Sequence, residues 1–396
     1  MDIRVTLRRA ITRARTAWLV LGVTTLLLLA IEGTFALLFY FKTSAVFGVF
    51  DRRVTADTYE DASWVPKYYE EEERSRPVRW EPYVYWRRKP FDGTHINIDA
   101  HGIRRTVDPA ARPDQTGPAP TIFMFGGSTL WGSGARDRFT IPSILAAELE
   151  KSDRGPVQVV NYGEMGYVST QSVIALLLQL QQGHVPNVVV FYDGINDTFS
   201  AYQQGVAGLP QNEAKRVREF APSAGTMGLL RNAFINLSVF RFANGLARRR
   251  GGGHSSDPIA DPRFVPEGRV DATALAADVV TTYRSNVAIV RALGQHYGFK
   301  SLFYWQPVVF EKPHLTEYEQ AQQKSRRHLQ RFFQQTYDAM RRSGATSGTE
   351  VRDISTIFAT TKAPVYVDWS HLGESGNAIV ARRMAEDVLA LIDATE

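Results

Sequence analysis

The stretch TIFMFGGS, residues 121–128, decides how this chain is read. A short, almost wholly apolar run closes on two glycines and a serine, the pattern of a buried strand entering a tight turn. FTIPSILAAELEK (139–151) follows as a helix, with Thr140 placed to cap it and Pro142 in its first turn. VQVVN (157–161) reads as a second strand, STQSVIALLLQLQQ (169–182) as a second amphipathic helix, and NVVVFYDG (187–194) as a third strand. A long helix over 272–296 leads into KSLFYWQP (300–307); a helical stretch covers 315–343, and another closes the chain from Gly373. Strands alternating with crossover helices predict an α/β fold whose parallel sheet is covered on both faces. In such sheets, sites form beyond the carboxyl ends of the strands.

Outward from this core the pattern changes. Trp18 to Phe41 reads WLVLGVTTLLLLAIEGTFALLFYF, apolar apart from Glu32 and a few small or hydroxyl residues. A helix of that length spans a hydrocarbon core of ~30 Å with some tilt, and Trp18 and Tyr40 suit the two interfaces. The run exceeds the apolar core of a cleaved signal and no A-x-A site follows, so an uncleaved transmembrane anchor is expected over 18–41. Arginines crowd residues 1–17, a basic segment predicted to stay in the cytoplasm, and Lys42 alone lies close after the span. The expected location is the inner (cytoplasmic) membrane, with the bulk of the chain periplasmic or otherwise extracytoplasmic. Glu32 falls near mid-membrane: either a protonated or locally hydrated carboxyl, or a contact with a partner helix. Residues 42–95 lack periodicity and are expected to form an extracytoplasmic linker, partly ordered by its aromatic residues, with Glu70–Arg76 a solvated charged face. Residues 96–396 form the globular domain, and 205–271 break its alternation. That insertion holds a possible short helix over Thr226–Ala247 and a loop with Arg248, Arg249 and Arg250, and it could cap a site.

The bulk numbers exclude more than they suggest. The net charge is +5, of which residues 1–16 supply four, so no nucleic-acid surface is expected. There is no cysteine, which removes disulfides, thiolate metal sites and a cysteine nucleophile.

Four features fall at strand ends or just before a helix. Gly126-Gly127-Ser128-Thr129 allows a sharp turn that exposes a hydroxyl and frees backbone N–H groups. By itself it also fits a helix cap or a phosphate turn, although no lysine follows as a P-loop requires. Asn161-Tyr162-Gly163-Glu164-Met165-Gly166 follows the second strand. Asp193-Gly194-Ile195-Asn196-Asp197 follows the third, where an asparagine amide can face a developing oxyanion or simply form an Asx-turn. Asp368-Trp369-Ser370-His371 precedes the last helix, with a spacing that lets one turn bring carboxylate to imidazole. The other seven histidines show no H-E-x-x-H spacing, so no metal is expected.

Together, in this order, the four resemble the SGNH/GDSL hydrolases, whose blocks appear here as GGST (126–129), NYGEMG (161–166), GIND (194–197) and DWSH (368–371). The resemblance covers roughly residues 95–394 and extends to NIDAHGIRR before the first strand, QP at 306–307 and HLGESGNAIVA near the end. It looks like membrane-anchored bacterial members, which are often tied to cell-envelope polysaccharide. It implies a flavodoxin-like three-layer α/β/α domain with a central parallel sheet, and a serine esterase or deacylase that needs no cofactor. The implied nucleophile is Ser128, with His371 as base and Asp368 orienting it. The implied oxyanion hole is Ser128 N–H, Gly166 N–H and the Asn196 side chain, with Gly127, Gly194 and Asp197 in support. Gly166 is preferred over Gly163 by the family's spacing from the strand-end asparagine. Gly127 stands where the family commonly has aspartate, which is expected to alter the turn more than the chemistry. The implied substrate is an ester-bearing small molecule, glycan or lipid. An O-acyltransferase acting on exported polysaccharide, or a catalytically silent scaffold of an envelope assembly complex, are the alternatives.

Overall fold

The computed structural model describes residues 3–44, 51–60, 62–107, 119–152, 157–213, 216, 270–344 and 351–393. Helix α1 (Ile3–Ser44) contains Ile11–Leu38, a stretch of mean hydropathy 2.0 that is long and apolar enough to cross a membrane, as an anchor or as a signal sequence. Thr25 and Thr34 donate their hydroxyls to the carbonyls of Leu21 and Ala30, four residues back. Such back-bonding satisfies these two hydroxyls within the helix, without a partner from apolar surroundings.

The α/β unit begins before its first sheet strand. Helix α2 (Val65–Arg74) leads into an antiparallel hairpin of β1 (Val78–Glu81) and β2 (Tyr85–Arg88), then the short pair β3 (Phe91–Asp92) and β4 (Asn97–Ile98). The expected linker is therefore structured from residue 51, and Tyr59, Val65, Tyr68 and Tyr69 form a core cluster with Trp131 and Val367. The solvated-face reading of Glu70–Arg76 is corrected for two of its carboxylates: Glu71 and Glu72 are buried. Glu71 accepts the backbone N–H groups of Thr94, His95 and Ile96 at 2.8–3.1 Å. Glu72 lies 3.3 Å from Arg53 and accepts the Ser133 hydroxyl at 2.7 Å. Buried carboxylates are tolerated when so partnered, and these partners are distant in sequence.

The main sheet comprises β5 (Thr121–Gly126), β6 (Gln158–Asn161), β7 (Val188–Asp193), β8 (Lys300–Trp305) and the two-residue β9 (Arg352–Asp353), all parallel in the order β6-β5-β7-β8-β9. Counted within this sheet the order is 2-1-3-4-5, the flavodoxin-like doubly wound arrangement. β5 and β7 are buried along almost their whole length, as strands covered on both faces must be. Phe125, Phe191 and Phe303 sit in register on adjacent strands and stack at 5.2 and 5.4 Å between ring centroids. Helices α4 (Ile141–Glu150) and α10 (Glu374–Asp393) pack together on one side. On the other lie α5 (Ser169–Gln181), α6 (Ile195–Gln204), α7 (Ala272–Tyr297) and α9 (Arg327–Arg342). Between β5 and α4 runs the single turn α3 (Ser128–Trp131), and α8 (Glu317–Ser325) precedes α9, so the helical stretch expected over 315–343 is two helices parted at Arg326. Of the expected insertion, 205–213, 216 and 270–271 are described; Thr226–Ala247 and the arginine triplet lie outside the described residues.

Candidate active site

Because the strand order reverses between β6 and β7 around β5, a crevice opens beyond the carboxyl ends of β5 and β7. Ser128 begins α3 directly after β5, and the Trp131 N–H closes back on the Gly127 carbonyl at 3.0 Å. Several buried side chains fix this turn. Gln306, at the end of β8, donates to Thr129 Oγ1 at 2.6 Å and to the Tyr192 carbonyl, while its own oxygen accepts from Ile195 N. It thereby ties the Ser128 turn to the loop after β7. Arg104, fully buried, donates to the carbonyls of Trp131, Gly132 and Ala135 and pairs with Asp137 at 3.0 Å. Asn161 donates to the Leu130 and Trp131 carbonyls.

The second arm comes from the loop before α10. Glu319 is buried beside Lys312 and accepts the N–H groups of Val365 and Tyr366, and Tyr318 donates to the Val367 carbonyl at 2.6 Å. Next in the chain, Asp368 Oδ1 accepts from Ser370 N and His371 N, an Asx-turn that folds the carboxylate onto the imidazole. His371 Nδ1 lies 2.7 Å from Asp368 Oδ2, and His371 Nε2 lies 2.7 Å from Ser128 Oγ. The three side chains expected to act together are in line. Burial opposes ionisation of Asp368, but the His371 imidazole, its hydrogen bond and Arg53 outweigh it and hold the carboxyl below the usual range. A depressed carboxylate pKa contributes stability that is present above the unfolded value of ~3.9 and is lost as pH falls through the folded one.

Ser128, Gly166, Asn196 and His371 line one cleft of about 580 Å³, walled in part by Trp86, Phe199 and Trp369. Gly166 adopts φ +76°, which turns its peptide in a way that favours glycine. Its N–H, like that of Ser128, donates to no acceptor among the described residues. The Gly163 N–H is already taken by Asn161 Oδ1 at 3.0 Å. Asn196 donates one amide hydrogen to the Tyr167 carbonyl at 2.8 Å and accepts from Gln211 at 3.0 Å, which leaves its second amide hydrogen. Asp197 is buried and accepts from Ser169 N and Gly194 N. Gly194, at φ +123°, has the Trp305 indole 2.9 Å from where a Cβ would stand.

No family model matches this sequence, and no curated protein matches it. Among solved structures it is similar to the acetyl xylan esterase AlAXEase, at 15% identity and TM-score 0.35, covering 68% of this chain and 99% of that one. It is also similar to Est24, a carbohydrate acetylesterase from Sinorhizobium meliloti (13%, TM-score 0.37, 69% and 99% covered). A third is a member of the lipolytic protein G-D-S-L family from Veillonella parvula (12%, TM-score 0.36, 68% and 97% covered).

What the site can do follows from its own atoms. Relay, free N–H groups and a spare amide hydrogen around one open space are the parts of nucleophilic acyl chemistry. Among the described residues no cluster of three or more His, Asp or Glu could hold a metal ion.

Gly127 proves the tightest point. Its backbone is extended (φ −86°), so the constraint is space: a Cβ there would meet Asn196 Nδ2 at 2.1 Å. The Asn196 amide occupies the volume that a side chain at 127 would need. Gly127→Asp is therefore expected to displace that amide and lower kcat for p-nitrophenyl acetate by ~10²–10³, the cost of one oxyanion donor, with the far-ultraviolet circular dichroism unchanged. Activity within a few fold of wild type would show that Asn196 gives nothing to the reaction.

Proposed function

We propose that this chain is a membrane-anchored serine esterase of the SGNH type, removing O-acyl or O-acetyl groups from a cell-envelope glycan or lipid. The observation that carries the reading is the unbroken relay from Ser128 Oγ through His371 to Asp368, opening on the cleft that Gly166 and Asn196 also line. Ser128 Oγ attacks the ester carbonyl as His371 Nε2 takes its proton, and Asp368 stabilises the imidazolium. Ser128 N–H, Gly166 N–H and the second Asn196 amide hydrogen receive the oxyanion. His371 then returns the proton to the departing alcohol. Water, deprotonated by the same imidazole, cleaves the acyl-enzyme to release the acid and restore Ser128. The arginines ahead of the apolar helix support a cytoplasmic N-terminus, with the α/β unit on the outer side of the cytoplasmic membrane.

The test is labelling of the full-length protein in detergent with a serine-directed fluorophosphonate. One label per chain, on Ser128, is expected, together with hydrolysis of p-nitrophenyl acetate. Folded protein that neither labels nor turns over would overturn the reading.

A further inference from the structure

The β1–β2 hairpin carries a row of aromatic rings that the reaction itself does not require. Trp86, on β2, walls the catalytic cleft. Tyr85 lies next to it, 6.5 Å away between centroids and nearly parallel at 21°, and Trp80, on β1, follows 5.6 Å beyond Tyr85. The row leads from the cleft to the outside: Trp86 and Tyr85 are half-buried, whereas Trp80 is 61% exposed and Tyr83, at the turn, 74%.

An ordinary hairpin would not make this row. Register pairs Trp80 with Trp86 and Glu81 with Tyr85, so alternation should send Tyr85 to the opposite face from the two tryptophans. Tyr85 instead adopts φ +76°, which accompanies its place among them, and Tyr83 adopts φ +67°. Positive φ at a bulky residue is strained, and such strain concentrates where a surface is used. Arg216 fixes the inner end: its guanidinium stands 4.9 Å from the Tyr85 ring and 4.5 Å from the Trp86 ring, held by Glu213 and the Gln211 carbonyl. The Tyr85 hydroxyl donates to Glu213 at 3.2 Å. Rings so held lose little freedom when a ligand stacks on them.

We propose that the row Trp86–Tyr85–Trp80 is a platform for an extended, β-1,4-linked oligosaccharide whose acylated unit enters the catalytic cleft. This rests on the esterase reading of the cleft and deepens it by naming the substrate as a glycan chain. Pyranose rings present flat C–H faces that stack on aromatic rings, and their hydroxyls need polar partners at the edges. The flanking Glu81, Glu213 and Arg216 supply such edges. A lipid chain would call for an enclosed apolar groove, which an open row flanked by charge does not offer. The spacing of the rings, each close to the repeat of one sugar along an extended chain, matches a ribbon-like polymer. An exposed aromatic patch continuous with a site is, in general, a binding surface.

The test uses full-length protein in nanodiscs carrying Ser128→Ala, so that binding is read without turnover. The probes are partially O-acetylated xylo-oligosaccharides and chito-oligosaccharides from disaccharide to hexasaccharide, followed by calorimetry. Affinity should rise with chain length, and adding Trp80→Ala should weaken hexasaccharide binding about tenfold. Trp80→Phe should recover most of that loss, which separates stacking from misfolding. Affinity that is flat with chain length, absence of binding by both series, or equal binding by the Trp80→Ala protein would each overturn the platform. So would quenching of Trp80 fluorescence by brominated lipid with no effect of oligosaccharide, which would assign the row to the membrane surface. Failure of wild-type protein to hydrolyse p-nitrophenyl acetate would strike the esterase reading instead, and leaves these binding results to be read on their own.

Discussion

Ser128→Ala and His371→Ala are each expected to lower kcat for p-nitrophenyl acetate by roughly 10⁴–10⁶-fold, and the double variant by no more than either alone. With Oγ gone there is no nucleophile for the imidazole to activate. With the imidazole gone, the hydroxyl at 2.7 Å has no acceptor for its proton and stays a neutral, weak nucleophile. Each change disables the same step, so the second removes nothing further. Residual hydrolysis above the uncatalysed rate, of order 10³-fold, would come from the oxyanion donors and substrate binding that remain. Asp368→Asn should also be severe, since an amide facing His371 Nδ1 favours the tautomer with its proton on the wrong nitrogen. Burst and steady-state kinetics, with circular dichroism for folding, check all four proteins. Effects that multiply in the double variant would mean that Ser128 and His371 act in separate steps, and the relay would then be no more than a packing contact.

The residues around this cleft are legible because each sits at a punctuation mark. Ser128 follows a glycine pair that ends an apolar run, Asn196 follows the turn after NVVVFYDG, and His371 precedes the closing helix. Such positions are fixed by the topology of a parallel sheet, so a linear pattern maps onto a place in space. The strand and helix order was legible for the same reason. What escaped was anything whose logic lies in a partner far along the chain. Gln306 reads in the sequence only as half of the QP dipeptide, yet it bridges Thr129 and Ile195. Arg104 reads as one of two adjacent arginines, and nothing local says that it will be wholly buried against three carbonyls. Glu71 and Glu72 lie in a charge run whose ordinary fate is solvent, and only the backbone of residues 94–96 and the side chains of Arg53 and Ser133 reverse it. The two-residue strand β9 carries no periodicity to detect.

The segment expected to be a linker carries a further large effect. A fragment starting at residue 51 is expected to fold and hydrolyse p-nitrophenyl acetate, whereas one starting at residue 96 should fail to fold. The shorter fragment keeps Arg104, Asn161 and Gln306 but lacks the groups from residues 51–95 that pack over the Ser128 loop. Tyr68 and Tyr59 hydroxyls bind the Gly132 and Gly134 carbonyls, and Tyr68 also accepts the Gly134 N–H at 2.8 Å. The Arg88 guanidinium covers the Trp131 ring at 4.5 Å, and its backbone N–H binds Glu164 at 2.9 Å. Trp86 Nε1 donates to the Met165 carbonyl, and Tyr167 donates back to the Trp86 carbonyl. Without these partners Glu164 would keep only the Met165 N–H, and the loop peptides at Gly132, Gly134 and Met165 would lose the hydrogen bonds that hold their course, at ~0.5–1.5 kcal/mol each. Trp131, fully buried now, would face water. Together these losses are comparable with the ~5–15 kcal/mol by which a domain is stable. Urea unfolding followed by tryptophan fluorescence and circular dichroism would compare the two fragments. A cooperative transition and retained activity in the fragment from residue 96 would show that the α/β sheet supports its own site, and that the packed segment ahead of it serves substrate binding alone.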